Sequence, residues 1–258
     1  MKNTKNNPLF TTALLPKGNG KLLDFDDVEN GIAYRYAQVN TRAVLDCPFR
    51  SRGCERVCYA TKGNHVFPSV KDSRERSHAE TLRADFSDAM IYTIQYYKTT
   101  RRYKNAVMIV RIHESGDFYS VQYLRKWIQI WKASEQIDGV QFTTYTKSFP
   151  FLLMLTDAEK AIVNRLMTSG KLTINFSTDD TTNTTQKLAY LDCIRSFPRA
   201  NTYTCTEHVD DVEHTDVCDC ADCAKCGTCN HADGKRTVVK IHSASNADMQ
   251  EYRKNITA

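Results

Sequence analysis

The sequence predicts an α/β fold in which a mainly parallel sheet closes into a partial (βα) barrel. Short β-branched runs alternate with longer segments of helical periodicity, which is the pattern of right-handed βαβ units. A chain of 258 residues, 41% of them hydrophobic, is long enough to bury a substantial core. No apolar run approaches the roughly 18 residues that a membrane-spanning helix needs. We therefore expect a cytoplasmic protein with no membrane partner.

The helical signal comes first along the chain. Within residues 69–100, apolar side chains recur at Leu82, Phe86, Met90, Ile94 and Tyr97. This spacing predicts one or two amphipathic helices and no strand.

Strand-like runs follow: AVMIVRI at 106–112, VQFTTYT at 140–146, KLTINFS at 171–177, NTYTC at 201–205 and RTVVKIH at 236–242. The first is nearly continuous in β-branched residues, which predicts a strand covered on both faces. Helical segments separate the first four runs: YLRKWIQIWKA, a stretch starting near Pro150, and residues 186–194. We expect a barrel domain of residues 1–204 and 232–258, with a small cysteine-rich, metal-binding insertion at 205–231.

Cysteine content and charge narrow the class of function. Ten cysteines, most of them closely spaced, favour metal or redox ligands over disulfides in a reducing cytosol. The net charge of +5 comes from 35 basic and 30 acidic residues spread along the chain. Such a mixed surface is typical of a solvated protein, although it does not exclude a nucleic acid as a partner.

Three cysteines lie in the segment CPFRSRGCERVCYA, at Cys47, Cys54 and Cys58. A structural zinc ion needs four protein ligands, so this trio would need a fourth, such as His65. A [4Fe–4S] cluster tolerates three thiolates, because its fourth iron can bind a small molecule, as S-adenosylmethionine (SAM) chemistry requires. Tyr59, directly after the third cysteine, would shield one side of the cluster from water. We therefore predict an open-site [4Fe–4S] cluster here.

A second group, VCDCADCAKCGTCNHADG, has repeated C-x2-C spacing, which is a strong metal signal. We predict that Cys223, Cys226 and Cys229 hold a second cluster. Cys205, at the end of a predicted strand, is the favoured fourth ligand, and Cys220 is the reserve. Zinc is the alternative metal at this second site.

Three other features have structural interpretations. Cys218 is expected in a polar loop. Cys193 lies at a helix-like position between apolar neighbours, so we interpret it as a core residue. Residues 177–180 follow a predicted strand and are interpreted as solvated or helix-capping residues.

The segment HESGDF follows the first predicted strand, at the edge where barrel enzymes carry their sites. Gly116 lies among ionisable groups at a turn from strand to helix, which lets a ligand approach the backbone. The N-terminus of the following helix favours an anion. Lys147 follows the next strand in the same way.

The order of these motifs is CPxxxxxCxxxCYAxKG, RIHxSGDFYS, YTKS, a CxxCxxC cluster and a closing IH strand. It resembles the gene product 88 family of phage-encoded proteins over about residues 32–243, and that family is similar to radical-SAM-like proteins with a CYA motif. The resemblance implies a partial barrel of radical-SAM type in which Cys47, Cys54 and Cys58 bind a cluster. It places HESGDF where related enzymes contact the cofactor, and it implies no substrate.

We expect SAM at the open iron, with Asp117 or Ser115 hydrogen-bonded to its ammonium group and Gly116 allowing close approach. His113 or Lys147 would face an unknown small-molecule or macromolecular substrate, where a group that gains or loses a proton is useful. A reductant protein is the expected electron source. Two other classes stay open: an electron carrier with two clusters, and a zinc-stabilised nucleic-acid-binding phage protein.

Overall fold

The computed structural model describes residues 9–17, 24–206, 217–218 and 236–240, and from residue 203 onward it describes the backbone alone. The strands in these ranges form one sheet. They are β1 (Leu14–Leu15), β2 (Phe25–Asp27), β3 (Ile32–Val39), β4 (Val107–Ile112), β5 (Val140–Thr146), β6 (Leu172–Asp179), β7 (Asn201–Thr206), β8 (Val217–Cys218) and β9 (Arg236–Lys240).

The helices lie mainly between the strands. In the same ranges they are α1 (Arg52–Arg56), α2 (Pro68–Leu82), α3 (Phe86–Thr99), α4 (Val121–Ser134), α5 (Phe149–Leu153), α6 (Asp157–Thr168) and α7 (Thr184–Ser196). Two short 3-10 helices, Tyr59–Thr61 and Gly63–Val66, connect α1 to α2. None of the described helices is both long and apolar enough to cross a bilayer.

Parallel strands follow one another across the sheet in chain order. The order is β3-β4-β5-β6-β7-β9, with β8 parallel to β9 at the far edge. At the other edge, β1 and β2 pair antiparallel with β3. Because each crossover steps in the same direction, right-handed connections place the intervening helices on one face of the sheet. The α/β architecture with a mainly parallel sheet, predicted from the sequence, is confirmed.

The face of the sheet under the helices is the apolar core. Val110, Phe142 and Ile174 alternate with other residues on adjacent strands, and each is at most 3% exposed. Ile109 points to the opposite face and is also buried, so β4 is covered on both faces as predicted. Cys193 of α7 is fully buried in the same core, which confirms its interpretation as a core residue.

The opposite face of the sheet is largely polar beyond Ile109. Asn175 Nδ2 lies 3.3 Å from Thr143 Oγ1, and Asn201 Nδ2 donates to Asn175 Oδ1 at 3.0 Å. The Arg111 guanidinium carbon lies 4.2 Å from the centroid of the Tyr145 ring. These side chains bond mainly to one another across the strands, so the sheet presents a polar surface on the side away from its helices.

Residues 69–100 form two helices, α2 and α3, as the spacing predicted. α3 is amphipathic and buries Phe86 and Met90 against the core. α2 differs, because its buried residues include Arg74 and Ser77. Leu82, which the spacing placed on an apolar face, is 62% exposed. The amphipathic prediction is therefore right for α3 and wrong for α2, whose inner face is polar.

The first prediction concerns the core. Phe176 is fully buried, with Phe149 and Phe197 rings 5.6 and 6.3 Å from its own. Phe176→Ala should lower the free energy of unfolding by about 3 to 5 kcal/mol, because it leaves a cavity under the sheet. The matched control is Leu188→Ala on the outer face of α7, where Leu188 is 59% exposed and the change should stay within about 0.5 kcal/mol. Urea unfolding measures both, and equal losses would contradict the placement of Phe176.

Candidate metal centre at the carboxyl edge of the sheet

The predicted site residues gather at one edge of the sheet, because the parallel strands all end there. Residues 40–58, which we call the cysteine loop, follow β3 and contain Cys47, Cys54 and Cys58. Residues 113–120, the HESGDF loop, follow β4. Lys147 follows β5, and Asp179 ends β6. The sheet therefore brings together segments that are far apart in sequence.

The HESGDF loop holds the start of the cysteine loop. Ser115 Oγ donates to the Thr41 carbonyl at 2.6 Å, and the Thr41 amide donates to the Ser115 carbonyl at 3.0 Å. The Ser115 amide donates to Asn40 Oδ1 at 3.1 Å. Gly116 has a φ of +85°, and a Cβ at this position would overlap Thr41 Oγ1. The glycine thus serves the close approach of Thr41, and Ser115 is 3% exposed in the same contact.

The same loop also contacts residues on both sides of the cysteines. The Asp117 amide donates to the Asp46 carbonyl at 3.0 Å, directly before Cys47. The Tyr59 hydroxyl, directly after Cys58, donates to the Glu114 carbonyl. Both ends of the cysteine-bearing segment are therefore tied to one loop.

Asp46 is itself a buried anchor for the cysteine loop. It is 1% exposed, and its carboxylate accepts from Arg42 Nη2 at 2.8 Å. His78 Nδ1 of α2 lies 3.0 Å from the same carboxylate. The turn leading to Cys47 is thereby held against α2 as well as against the HESGDF loop.

The middle of the cysteine loop is anchored to the end of β6. Ser51 caps α1 by accepting from the Cys54 amide, and its hydroxyl donates to Asp179. The Gly53 amide donates to Thr181 Oγ1 at 2.7 Å. Lys147 Nζ lies 3.0 Å from the Asp179 carboxylate and donates to the Ser177 carbonyl at 3.2 Å. Lys147 thus pairs with the carboxylate that fixes the cysteine-bearing helix.

Asp179 does more than the solvated or capping role interpreted from the sequence. It is 5% exposed. Burial acts to raise its pKa, but Lys147 and the hydroxyls of Ser51 and Thr181 outweigh burial and hold the pKa below its usual value. Asp179 is therefore a charged anchor between two loops, and sequence reasoning missed it together with Ser51. A serine three residues before Cys54, at the start of a helix, was the available signal for the cap.

The three cysteine side chains are half-buried, and none forms a disulfide. Burial raises the pKa of the Cys47 thiol, and the Asp117 carboxylate and the nearby Cys54 and Cys58 raise it further. The structure thus places the trio that the sequence predicted as ligands on one loop, the cysteine loop, at the carboxyl edge of the sheet.

The donor set can be compared with the needs of different metals. Among the described residues, no three His, Cys, Asp or Glu side chains meet as the ligands of a single metal ion would. In a cubane cluster each thiolate binds a different iron, so the sulfurs stand farther apart than around one zinc ion. His65, the candidate fourth zinc ligand, has Nδ1 2.8 Å from Arg74 Nη2 and its ring edge-on to Tyr59. The side chain considered as a fourth zinc ligand is thus engaged with Arg74 and Tyr59.

His113 lies under the site, inside the core. It is 3% exposed, and its Nε2 lies 3.1 Å from the Tyr123 hydroxyl. Its φ of +61° turns the chain at the end of β4. Burial, and then Arg111, lower the pKa of His113 to about 3, so the ring is neutral. The predicted catalytic role of His113 stays a prediction, and these contacts indicate packing.

Asp117 is likewise engaged inside the protein. Its carboxylate accepts from Thr146 Oγ1 at 2.7 Å and from the Phe118 and Lys147 amides at 2.7 and 2.8 Å. Burial raises the pKa of Asp117 to about 6, although these hydrogen bonds oppose the rise. The cofactor contacts predicted for Ser115, Gly116 and Asp117 stay predictions, since all three already brace the loops around the cysteines.

The second cysteine group lies mostly outside the described residues, which do not include Cys220, Cys223, Cys226 or Cys229. The backbone places Cys205 in β7, in register with Asp179 of β6 and Val239 of β9. Cys218 lies in β8, in register with the same Val239. The prediction that Cys218 lies in a polar loop is therefore wrong, because its backbone pairs with β9.

The brace around Gly116 generates the second prediction. Gly116→Ala should lower the free energy of unfolding by about 2 to 5 kcal/mol, from the strained positive φ together with the overlap with Thr41. Gly31→Ala is the matched control, because Gly31 also has a positive φ but a Cβ there meets nothing within 4 Å. It should cost only about 1 to 2 kcal/mol. Thermal and urea unfolding compare the two, and Thr41→Ala should recover part of the loss at Gly116 but none at Gly31.

Comparison with curated proteins shows a phage relative. The "Gene 88 protein" of Mycobacterium phage D29 is 28% identical over 107 residues. The alignment covers 40% of this chain and 43% of that protein, so the chain matches less than half the length of this relative. No solved structure matches the chain significantly.

A family model gives a match of much greater extent. The model of Gene product 88 matches residues 2–232. That range takes in the cysteine loop, the HESGDF loop and the cysteine-rich segment. The chain therefore belongs to the Gene product 88 family of phage proteins.

Proposed function

We propose that this protein is an iron–sulfur protein with a [4Fe–4S] cluster on Cys47, Cys54 and Cys58. This proposal rests mainly on the structure of the cysteine loop. Three half-buried thiols lie in a loop that is held at both ends and in the middle. Three thiolates satisfy a cubane with one open iron and leave a structural zinc ion one ligand short.

We further propose that the sheet belongs to a partial barrel of radical-SAM type. The parallel strands lie in chain order with helices on one face, which is the strand order of a barrel wall. The cysteine loop follows β3, the first parallel strand of this series, at the edge where barrel enzymes bind their ligands. The polar face with Arg111 and Asn175 would line the inside of the wall.

The proposed activity is a radical reaction that uses SAM. One electron from a reductant protein, passed through the cluster, would break the C5′–S bond of SAM and give methionine and, after hydrogen abstraction from the substrate, 5′-deoxyadenosine. The role of the protein chain would be to position the cluster and the cofactor and to shield the cluster from water. Tyr59 closes one side next to Cys58, and the HESGDF loop, through Ser115, Gly116 and Asp117, sets the edge that the cofactor would meet. In this proposal Lys147 or His113 would exchange a proton with the substrate, whose class is open.

A second metal centre is proposed on Cys223, Cys226 and Cys229, with Cys205 as the favoured fourth ligand and Cys220 in reserve. Iron–sulfur is favoured there, with zinc as the alternative, because repeated C-x2-C spacing suits a cluster. A protein with both centres and no SAM chemistry would be an electron carrier. In either case we place the protein in the cytoplasm of the phage host.

The third prediction tests the first centre. Anaerobically prepared protein should be brown, and changing Cys47, Cys54 and Cys58 together to Ala should remove about one cluster's iron, four atoms per chain. Cys193→Ala is the control, because this core cysteine should bind no iron. Iron, sulfide and zinc analysis measures the outcome. Full zinc occupancy without sulfide would refute the cluster.

The enzyme step has its own readout. Reduced, cluster-replete protein should convert SAM to methionine and 5′-deoxyadenosine, and the triple cysteine variant should not. If the cluster is present and neither product forms, the electron-carrier alternative is the better account.

The fourth prediction concerns Asp179 as a positioning residue. Asp179→Asn keeps the shape but removes the charge that holds Ser51 and Lys147. We expect a cluster that still assembles but shows an altered EPR spectrum and bleaches faster in air, because the middle of the cysteine loop is loosened. Asp180→Asn, at the neighbouring position, is the charge-matched control. An unchanged spectrum and bleaching rate in Asp179→Asn would show that the anchor does not position the cluster.

A further inference from the structure

A cavity of about 430 Å³ lies beside the cysteine loop and is separate from the cysteines. It opens between α2, the outer strands β1 and β3, and the HESGDF loop, and none of the three cysteines lines it. Cavities of this volume are typical of small-molecule sites. Neither the sequence motifs nor the proposed metal chemistry accounts for it.

Three buried polar atoms, on residues that line the cavity, have no hydrogen-bond partner in the described part of the chain. They are Gln38 Oε1, Glu114 Oε1 and Ser77 Oγ. Gln38 is 8% exposed and Ser77 is 6% exposed. Buried acceptors without donors are costly and uncommon in folded proteins. Because the three residues all line one cavity, these atoms point to a ligand that supplies the missing partners.

The wall that α2 contributes is polar. Ser69, Ser73 and Ser77 recur every fourth residue and share one face of the helix, and all three line the cavity. A helix packed against a core would place large apolar side chains here, whereas the buried residues of α2 are Arg74, Ser77 and Thr81. The composition of this face therefore suits a polar molecule with room left by small side chains.

The cavity has an acidic and a basic group. Glu114 keeps one carboxylate oxygen on Asn40 Nδ2, at 3.3 Å, and leaves the other unpartnered. Arg74 donates to the Ala60 carbonyl at 2.9 Å and contacts His65 Nδ1 at 2.8 Å, which uses two of its five N–H groups. Both charged side chains thus retain bonding capacity, and both residues line the cavity.

Part of the remaining wall is apolar. Ala13, Leu15 and Val70 line the same cavity. A site with a carboxylate, a guanidinium and an apolar surface matches the three parts of an amino acid: an ammonium group, a carboxylate and a side chain.

We propose that this cavity binds a molecule carrying an α-amino acid group. The ammonium donates to Glu114 Oε1 and Gln38 Oε1, the carboxylate accepts from Arg74, and the side chain lies along the apolar wall. The site uses none of the metal ligands, so it does not rest on the proposed function. The amino acid group could belong to a free amino acid or to the methionine part of SAM, and the test separates these sources.

The fifth prediction is a calorimetric titration of the full chain, purified anaerobically. The probes are the twenty L-amino acids one at a time, SAM, and two single-function molecules, n-butylamine and butyrate. At least one amino acid or SAM should bind, and both single-function probes should bind more weakly. Binding by free amino acids identifies them as the source, whereas binding by SAM alone, retained in the triple cysteine variant that lacks the open iron, identifies its methionine part.

Variants tie this binding to the cavity. Glu114→Gln and Gln38→Met should each weaken it by about tenfold or more, because each removes an acceptor from a charged donor. Glu75→Gln on the exposed side of α2, where the side chain is 58% exposed, is the charge-matched control and should bind like the wild type. Because Gln38 Oε1 has no partner among the described residues, Gln38→Met should keep or raise the melting temperature, whereas loss of a structural contact would lower it.

The outcomes separate this inference from the iron–sulfur proposal. Iron content should be equal in the wild type, Glu114→Gln and Gln38→Met. Absence of binding by every probe, equal binding by n-butylamine and the amino acids, or unchanged binding in both cavity variants would overturn the inference, whatever the iron content.

Discussion

The hydrogen bonds between the HESGDF loop and the cysteine loop are the constraint on which the rest of the site depends. The cysteine loop has only the five-residue helix α1 and short turns of its own. Its shape comes from Thr41, Asp46 and Tyr59, which bond to the loop after the neighbouring strand. An irregular segment that must present three thiols in fixed positions needs such external support, since it has little regular hydrogen bonding within itself.

The strand order explains why the support is available. β3 and β4 are adjacent and parallel, so the loops that follow them leave the sheet side by side. β6 lies two strands farther on, and its end carries Asp179 to the middle of the cysteine loop. With the helices on one face, the other face is free to be polar, and Arg111 and Asn175 use it. The sheet thus positions the loops at its carboxyl edge, and its polar face lies on the side away from the helices.

Periodicity was sufficient to predict β4 to β7, β9 and most of the helices, because these elements bury apolar residues at regular spacing. It did not divide the helical stretch that starts near Pro150 into α5 and α6, although Thr156 and Glu159 form a capping box, for which the pattern T-x-x-E is the sequence signal. It also missed β1 to β3, which lie at the antiparallel edge outside the βα alternation. The amphipathic prediction was wrong for α2, because the inner face of this helix is polar. That face lines a cavity, which the sequence pattern does not show.

The site was predictable in its residues and less so in their roles. Cysteine spacing and the motif HESGDF identified the segments that meet at the edge of the sheet. Which atoms they bond was not readable, because the partner of Ser115 is Thr41, 74 residues away, and hydrogen bonding across such a separation depends on the finished sheet. The same holds for Gly116. The sequence suggested that this glycine gives a ligand access to the backbone, whereas in the structure it makes room for the side chain of Thr41.

The bond between Ser51 and Asp179, 128 residues apart, has a consequence for the order in which the chain folds. Each parallel strand from β4 to β7 pairs with the one made just before it, so most of the sheet can grow by local addition as the chain leaves the ribosome. Both ends of the cysteine loop can be tied down once β4 and its loop have been made. The middle of the cysteine loop gains its anchor only when β6 has joined the sheet. Until then α1 is held only through the two ends of the loop. The final geometry of the three thiols is therefore acquired late, more than a hundred residues after the last of them has been synthesised.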